Sequence, residues 1–187
     1  CVLERENLLK ALRQVRRNRG SPGVDGMTVD ALPGYLRSHW SVLRESLEGG
    51  TYQPKPVKRV EIPKTGGGVR PLGIPTVVDR FIQQALLQGL QDQWDSTFSD
   101  HSFGFRPGRS AHQAIVRAQT YIHEGYGWVV DLDLEKFFDR VNHDKLMSLV
   151  RERVKDEGVR TLIYRYLKAG VIIDDDCHWT GEGTPQG

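Results

Sequence analysis

Apolar residues recur at helical spacing from the start of the chain. Leu8, Leu9, Leu12 and Val15 share one side of a helix over residues 2–18, and Arg13, Arg16 and Arg17 lie off it. The stretch NRGSPGVDG (18–26) breaks that pattern with three glycines and a proline and predicts a loop. From 55 to 75 the period shortens. KPVKRVEIPKTGGGVRPLGIP alternates apolar and basic residues around a glycine-rich turn, which predicts a β-hairpin with Val57, Val60 and Ile62 before the turn and Val69, Leu72 and Ile74 after it. Helical spacing returns at 77–95, through Val78, Ile82, Ala85, Leu86 and Leu90. It returns again at 110–123, where Ser110 is the expected N-cap and Ala111, Ala114, Ile115, Ala118 and Ile122 are expected to face inward. Asn142 is expected to cap a helix carrying Leu146, Met147, Val150 and Val154. Another helix runs from about Asp156 to Ala169 and stops at Gly170. VIIDD (171–175) reads as a short strand before the last turn, and residues 27–54 receive no element. No internal repeat or low-complexity linker interrupts this order, which predicts an α+β fold.

Between the third and fourth predicted helices lies GWVVDLDLEKFFDRVNH (127–143). Strand alternation would place Trp128, Val130, Leu132 and Leu134 on one face, packed on helices. Val129, Asp131, Asp133 and Glu135 would share the other. Periodicity alone leaves two readings of the acidic face: a plain solvent-exposed edge, or one wall of a cleft. The two phenylalanines that follow suit a pocket wall better than open solvent. Carboxylates beside such a wall can hold Mg²⁺, which takes oxygen ligands, keeps several waters and binds substrate phosphates.

Composition narrows the class. The chain has 187 residues, 38% hydrophobic and 27% charged, enough for one domain with a buried core. No apolar run approaches the ~20 residues of a membrane span. Glu4, Arg5 and Glu6 interrupt the first apolar residues, so no signal peptide is read. With only Cys1 and Cys177, neither a disulfide framework nor a zinc cluster is expected, and a reducing cytoplasm is the expected compartment. The start at Cys1 and the end in the turn GTPQG read as a piece of a longer protein. Net charge is +2, unevenly spread: residues 1–70 hold 13 Lys+Arg against 7 Asp+Glu, and residues 71–187 hold 13 against 17. A basic half and an acidic half suggest one surface for a polyanion and another for cations, unless the clustering is chance.

DLEKFFDRVNHDKL (133–146) resembles motif A of reverse transcriptases of the group II intron type, with the pattern D-I-x-x-F-F-D-x-I-x-H. Other motifs of that family follow in its order. RGSPGVDGMTVDAL (19–32) resembles the segment before the fingers, and IPKTGGGVRPLGIPTVVDRFIQQAL (62–86) resembles fingers motifs 1 and 2. FSDHSFGFRPGRSAHQAI (98–115) is similar to the inserted motif 2a, and GTPQG (183–187) to the start of the motif 4 turn. The resemblance covers essentially the whole chain. It implies a right-hand polymerase: N-terminal extension and fingers over 1–100, and the first part of the palm with remaining fingers helices over 101–187. It also implies truncation before the catalytic Tyr-x-Asp-Asp hairpin, which has no counterpart here; IDDDCH (173–178) precedes the motif 4 turn and reads as a turn or strand end.

Carried over by position, the resemblance implies that Asp133 is the motif A metal ligand, assisted by the carbonyl of Leu134. Asp131 supports it at most. Phe138 falls where the family places the steric gate against a ribose 2′-OH. Lys64 and Arg70 fall where fingers residues grip the triphosphate of an incoming dNTP, a task suited to an ammonium and a guanidinium fork. Gln186 would line the nucleotide pocket. The cofactor implied is Mg²⁺, two ions in the intact enzyme and weakly held or absent in this piece. The partners implied are group II intron RNA, or an RNA template with a DNA primer, in a bacterial cytoplasm, with no membrane and a dimer left open. Other readings stand beside these. Lys64 and Arg70 also suit a hairpin surface, and Phe137 reads as core. Arg106 and Arg109 contact template phosphates or anchor their loop. Arg13, Arg16, Arg17 and Arg19 bind RNA or form a solvated face. His143 reads as structural, and Cys177 as inert. The parent could instead be a splicing module without polymerase activity, or a reverse transcriptase adopted for defence, CRISPR-associated or diversity-generating.

Overall fold

The computed structural model describes residues 2–174, 176–179 and 181–184. Helix α1 (Arg5–Asn18) buries Ala11 and Val15 and leaves Arg13, Arg16 and Arg17 exposed, as its amphipathic pattern requires. It ends at Arg19 in the left-handed region (φ 47°), and the 18–26 loop follows. Arg80 holds that loop through the carbonyls of Ser21 (2.6 Å) and Gly20 (3.4 Å).

Helix α2 (Leu32–Glu48) was not expected. Its opening Pro33-Gly34 reads as a breaker, yet proline is tolerated in the first turn, where its missing N–H has no intrahelical partner. Leu32, Leu36, Trp40, Leu43 and Leu47 carry the helical period that could have revealed it. Leu32 and Leu43 are buried, and Trp40 meets Phe81 edge-on with ring centroids 6.3 Å apart.

The predicted hairpin forms as β1 (Val57–Pro63) and β2 (Val69–Ile74), antiparallel, with Val60 opposite Leu72 and Ile62 opposite Arg70. Gly67 and Gly68 make its turn at φ 91° and 81°, values a side chain would resist. Helix α3 (Val77–Asp95) is the centre of the core: Val77, Phe81, Ile82 and Ala85 are almost fully buried against α1 and α2. Burial of each such side chain contributes roughly 1.5–3 kcal/mol for the larger residues. Helix α4 (Ala111–His123) has Ser110 as its N-cap, as expected, and Gln113 completes a capping box with it.

Helix α5 (His143–Arg153) is capped by Asn142, whose side chain accepts from the Lys145 N–H. Helix α6 (Glu157–Leu167) is capped in the same way by Asp156. Met147, Val150, Val154 and Leu167 form a second cluster against Leu90 and Trp94 of α3. The chain then enters β3 (Val171–Ile173), where VIIDD predicted a short strand, and β4 (Asp176–His178), which was not expected. Because β3 pairs parallel to β1, the sheet order is β2-β1-β3-β4, and the hairpin is joined to the second half of the chain.

Three expectations are overturned. Residues 127–134 form no strand, and Trp128, Val130 and Leu132 are more than 80% exposed rather than packed on helices. The expected inward face of α4 is uncovered too, with Ile115 and Ile122 exposed. Alternation identifies which side chains share a face; a strand also needs a neighbour for its N–H and C=O groups. Among the described residues none of β1–β4 pairs with this segment. Phe137, expected in the core, lies in the 137–140 turn and is half exposed.

Candidate active site

The β1–β2 hairpin reaches over a cleft of about 880 Å³. One wall carries Arg59, Lys64 and Arg70 from the hairpin, and the opposite wall carries Lys136, Asp139, Gly183 and Thr184. The turn sets Lys64 in place, because its N–H donates to the Gly68 carbonyl and its carbonyl accepts from the Gly67 N–H. The structure therefore brings Lys64 and Arg70 to the segment that follows Asp133. Sequence reasoning missed Arg59 and Lys136. Both lie within motifs quoted above or beside them, but their faces become evident only once the hairpin register (Arg59 opposite Gly73) is known.

Past the acidic stretch, Lys136 takes a left-handed conformation (φ 50°) and starts a 3-10 turn at Phe137–Arg140. Phe137 and Phe138 stand edge-to-face, centroids 5.4 Å apart. The 181–184 turn docks on this segment: the Gly183 N–H donates to the Val141 carbonyl (2.8 Å) and the Thr184 N–H to the Phe138 carbonyl (2.7 Å). Gly183 (φ 85°) has no room for a side chain, since a Cβ would lie 2.8 Å from the Asp139 carbonyl oxygen. Gln186 lies outside the described residues.

Asp131, Asp133 and Glu135 are all exposed. One carboxylate oxygen of Asp133 accepts from the Leu134 N–H at 2.9 Å, and Glu135 reaches Arg140 at 3.7 Å. Among the described residues no group of three His, Cys, Asp or Glu is placed to hold a metal ion. The Asp133 carboxylate and Leu134 carbonyl are hard oxygen donors of the kind Mg²⁺ takes, so they fit as part of a donor set that substrate phosphates and water would complete.

The arginines of 98–110 differ. The Arg106 side chain is buried, pairs with both Asp95 carboxylate oxygens (2.9 and 3.3 Å) and donates to the carbonyls of Asp95, Ser99 and Ser102. Its hydrogen bond holds the Asp95 carboxyl below the usual carboxylate range. That geometry is an anchor for the loop. Arg109 pairs with Asp100 at 3.2 Å and lies over the Phe103 ring. Arg13, Arg16, Arg17 and Arg19 remain on the exposed face of α1 and its end.

Behind the cleft, Asp79 is buried at the start of α3. It accepts from the Tyr52 hydroxyl (2.7 Å), the Thr76 hydroxyl (2.6 Å) and the Lys55 N–H (3.3 Å). Burial pushes its carboxyl up in spite of these donors, and burial beside it pushes the Tyr52 and Tyr166 phenols well up as well.

Residues 62–187, from the end of β1 through the cleft and the acidic segment, match the family model of reverse transcriptase (RNA-dependent DNA polymerase). The chain belongs to the reverse transcriptase family. It is 42% identical to protein YkfC of Escherichia coli over its whole length, covering 50% of that protein. It is 36% identical to the group II intron-encoded protein LtrA of Lactococcus lactis, over 95% of this chain and 29% of LtrA. A putative COX1/OXI3 intron 2 protein of Saccharomyces cerevisiae is 34% identical over 96% of this chain and 21% of its own length. The chain thus spans half or less of these curated relatives. Its relatives include group II intron-encoded proteins and nuclear intron maturases, in keeping with the motif order. A chain in a solved structure titled "Partial Cas6-RT-Cas1--Cas2 complex" shares the reverse transcriptase fold, with a TM-score of 0.63 at 22% identity, covering 100% of this chain and 31% of that one. Among the described residues no helix is long and apolar enough to cross a membrane.

Proposed function

We propose that the protein is the RNA-directed DNA polymerase of a group II intron, which extends a primer 3′-OH on an RNA template and also binds intron RNA to assist splicing and mobility. On this reading residues 1–100 form the N-terminal extension and fingers, and residues 101–187 the first part of the palm. The bacterial cytoplasm is its place of action. The observation that carries the reading is the cleft itself, where Lys64, Arg70 and Arg59 of the hairpin face Lys136 and Asp139 beside the motif A segment.

Cations on the hairpin grip a triphosphate and orient it toward the primer, a positioning role that dominates phosphoryl transfer. Lys136 adds charge from the other wall. Phe138 meets the sugar and disfavours a 2′-hydroxyl, which an apolar ring leaves without a partner. Asp133 and the Leu134 carbonyl would hold Mg²⁺ as part of a donor set that substrate phosphates and water complete. When bound, the ion supplies charge stabilisation at the attacking and leaving oxygens. The exposed arginines of α1 bind intron RNA backbone. The intron-encoded relatives at 34–36% identity favour the intron over the defence reading. The likeness to the Cas-associated chain bears on fold alone.

The test is Asp133→Ala in the full-length protein. DNA synthesis on an RNA template is expected to be lost while intron RNA binding survives; retained synthesis overturns the role of Asp133.

A further inference from the structure

His143 opens α5 and is only 2% exposed. Its Nε2 lies 2.7 Å from the Gly183 carbonyl oxygen, forty residues away in sequence. A carbonyl can only accept, so Nε2 carries the proton and donates it. The other ring nitrogen, Nδ1, is buried and has no hydrogen-bond partner among the described residues. A leucine would fill the same space without leaving a polar atom unsatisfied, so packing alone does not call for histidine here. The bond to Gly183 does.

That bond acts on a junction within the cleft. Gly183 is pressed against the Asp139 carbonyl, its N–H is held by Val141, and Thr184 is held by the Phe138 carbonyl. Asn142 and Glu182 add a bridge beside it. Asp139, Gly183 and Thr184 line the wall opposite Lys64 and Arg70. The geometry points to His143 as a positioning residue for nucleotide selection: its Nε2–H locks the 182–184 turn against the Phe138 segment and so sets the wall that meets the incoming sugar. This inference rests on the reading of the cleft as the nucleotide site.

The experiment compares His143→Leu and His143→Gln in the full-length protein. Glutamine keeps an N–H donor at a reach similar to Nε2, and leucine keeps only the volume. Three readouts apply: steady-state primer extension with dNTP, discrimination against rNTP, and hydrogen exchange of peptides covering 182–184. For His143→Leu, the KM for dNTP is expected to rise ~10-fold or more with kcat changed less than ~3-fold, and discrimination against rNTP to fall by a similar factor. Exchange at 182–184 is expected to quicken ~10-fold. His143→Gln is expected to restore all three. A merely structural histidine would lower the yield of folded enzyme and leave KM and sugar discrimination in the folded fraction unchanged. That result, or leucine performing as well as glutamine, overturns the inference. If the wild-type protein itself fails to extend a primer, the polymerase reading fails instead. Should the exchange pattern still separate leucine from glutamine in that case, the clamp stands and its role in nucleotide selection is overturned.

Discussion

Replacing Asp79 by alanine removes the carboxylate on which two segments converge: the 52–55 connection and the N-cap of α3. The Tyr52 hydroxyl and the Lys55 N–H lose a charged acceptor, while the Thr76 hydroxyl still caps α3 by accepting from the backbone N–H of residue 79. Hydrogen bonds to a charged group contribute about 1.5–3 kcal/mol each, and the bonds from Tyr52, Lys55 and the Thr76 hydroxyl to the carboxylate are lost. Relief of a buried carboxylate offsets part of that loss. A net destabilisation of about 2–4 kcal/mol is expected, and about 1.5–3 kcal/mol for Tyr52→Phe, which leaves the carboxylate short of one donor. The double variant should cost less than the sum of the two. Urea unfolding followed by tryptophan fluorescence reads this, since Trp40 packs on Phe81 in the same core. The pH dependence has a definite sign. Burial raises the folded carboxyl, so between the ordinary and the raised value the native state keeps a proton that the unfolded chain releases. This contribution is fully present below the ordinary carboxylate pKa of about 3.9 and is lost as pH rises through the raised value. The stability of wild type relative to Asp79→Asn should therefore improve as pH falls from 7 toward 4. A loss below about 1 kcal/mol in Asp79→Ala, or a pH trend of opposite sign, refutes the hub.

Two further outcomes follow from the cleft and the loop beside it. Phe138→Ala in the full-length enzyme is expected to raise rNTP incorporation about 10-fold or more with dNTP use retained, and unchanged sugar selectivity in primer extension removes the gate role. Arg106→Gln should free the loop at 96–110, read as faster limited proteolysis there. Asp95 has a lowered carboxyl because of Arg106, so this contact stabilises above the ordinary carboxylate pKa and weakens as pH falls through the depressed value. The variant should be cut equally fast across that acidic range; protection equal to wild type at neutral pH would show that Arg106 is no anchor.

The local pattern determined most of the elements. Thr76, Ser110, Asn142 and Asp156 cap the helices that follow them, because a cap needs only a side-chain oxygen two or three residues before the N–H it serves. The hairpin followed from alternation and the glycines at its turn, and the motif order placed the chain among reverse transcriptases. Helix α2 was also written locally, in the spacing of Leu32, Leu36, Trp40, Leu43 and Leu47, and was hidden by Pro33 and Gly34 at its start. Tertiary structure alone decided the rest. Whether Val130 and Leu132 become a strand depends on a partner for their backbone groups, which alternation cannot supply. The meeting of Lys64 with Lys136 depends on the parallel pairing of β1 with β3, more than a hundred residues apart. The bond from His143 to Gly183 spans forty residues, and only the fold brings that nitrogen to that carbonyl. Periods and caps act within a few residues of chain, so they specify elements; pairing, burial and the shape of a cleft are properties of residues far apart, and only the folded chain fixes them.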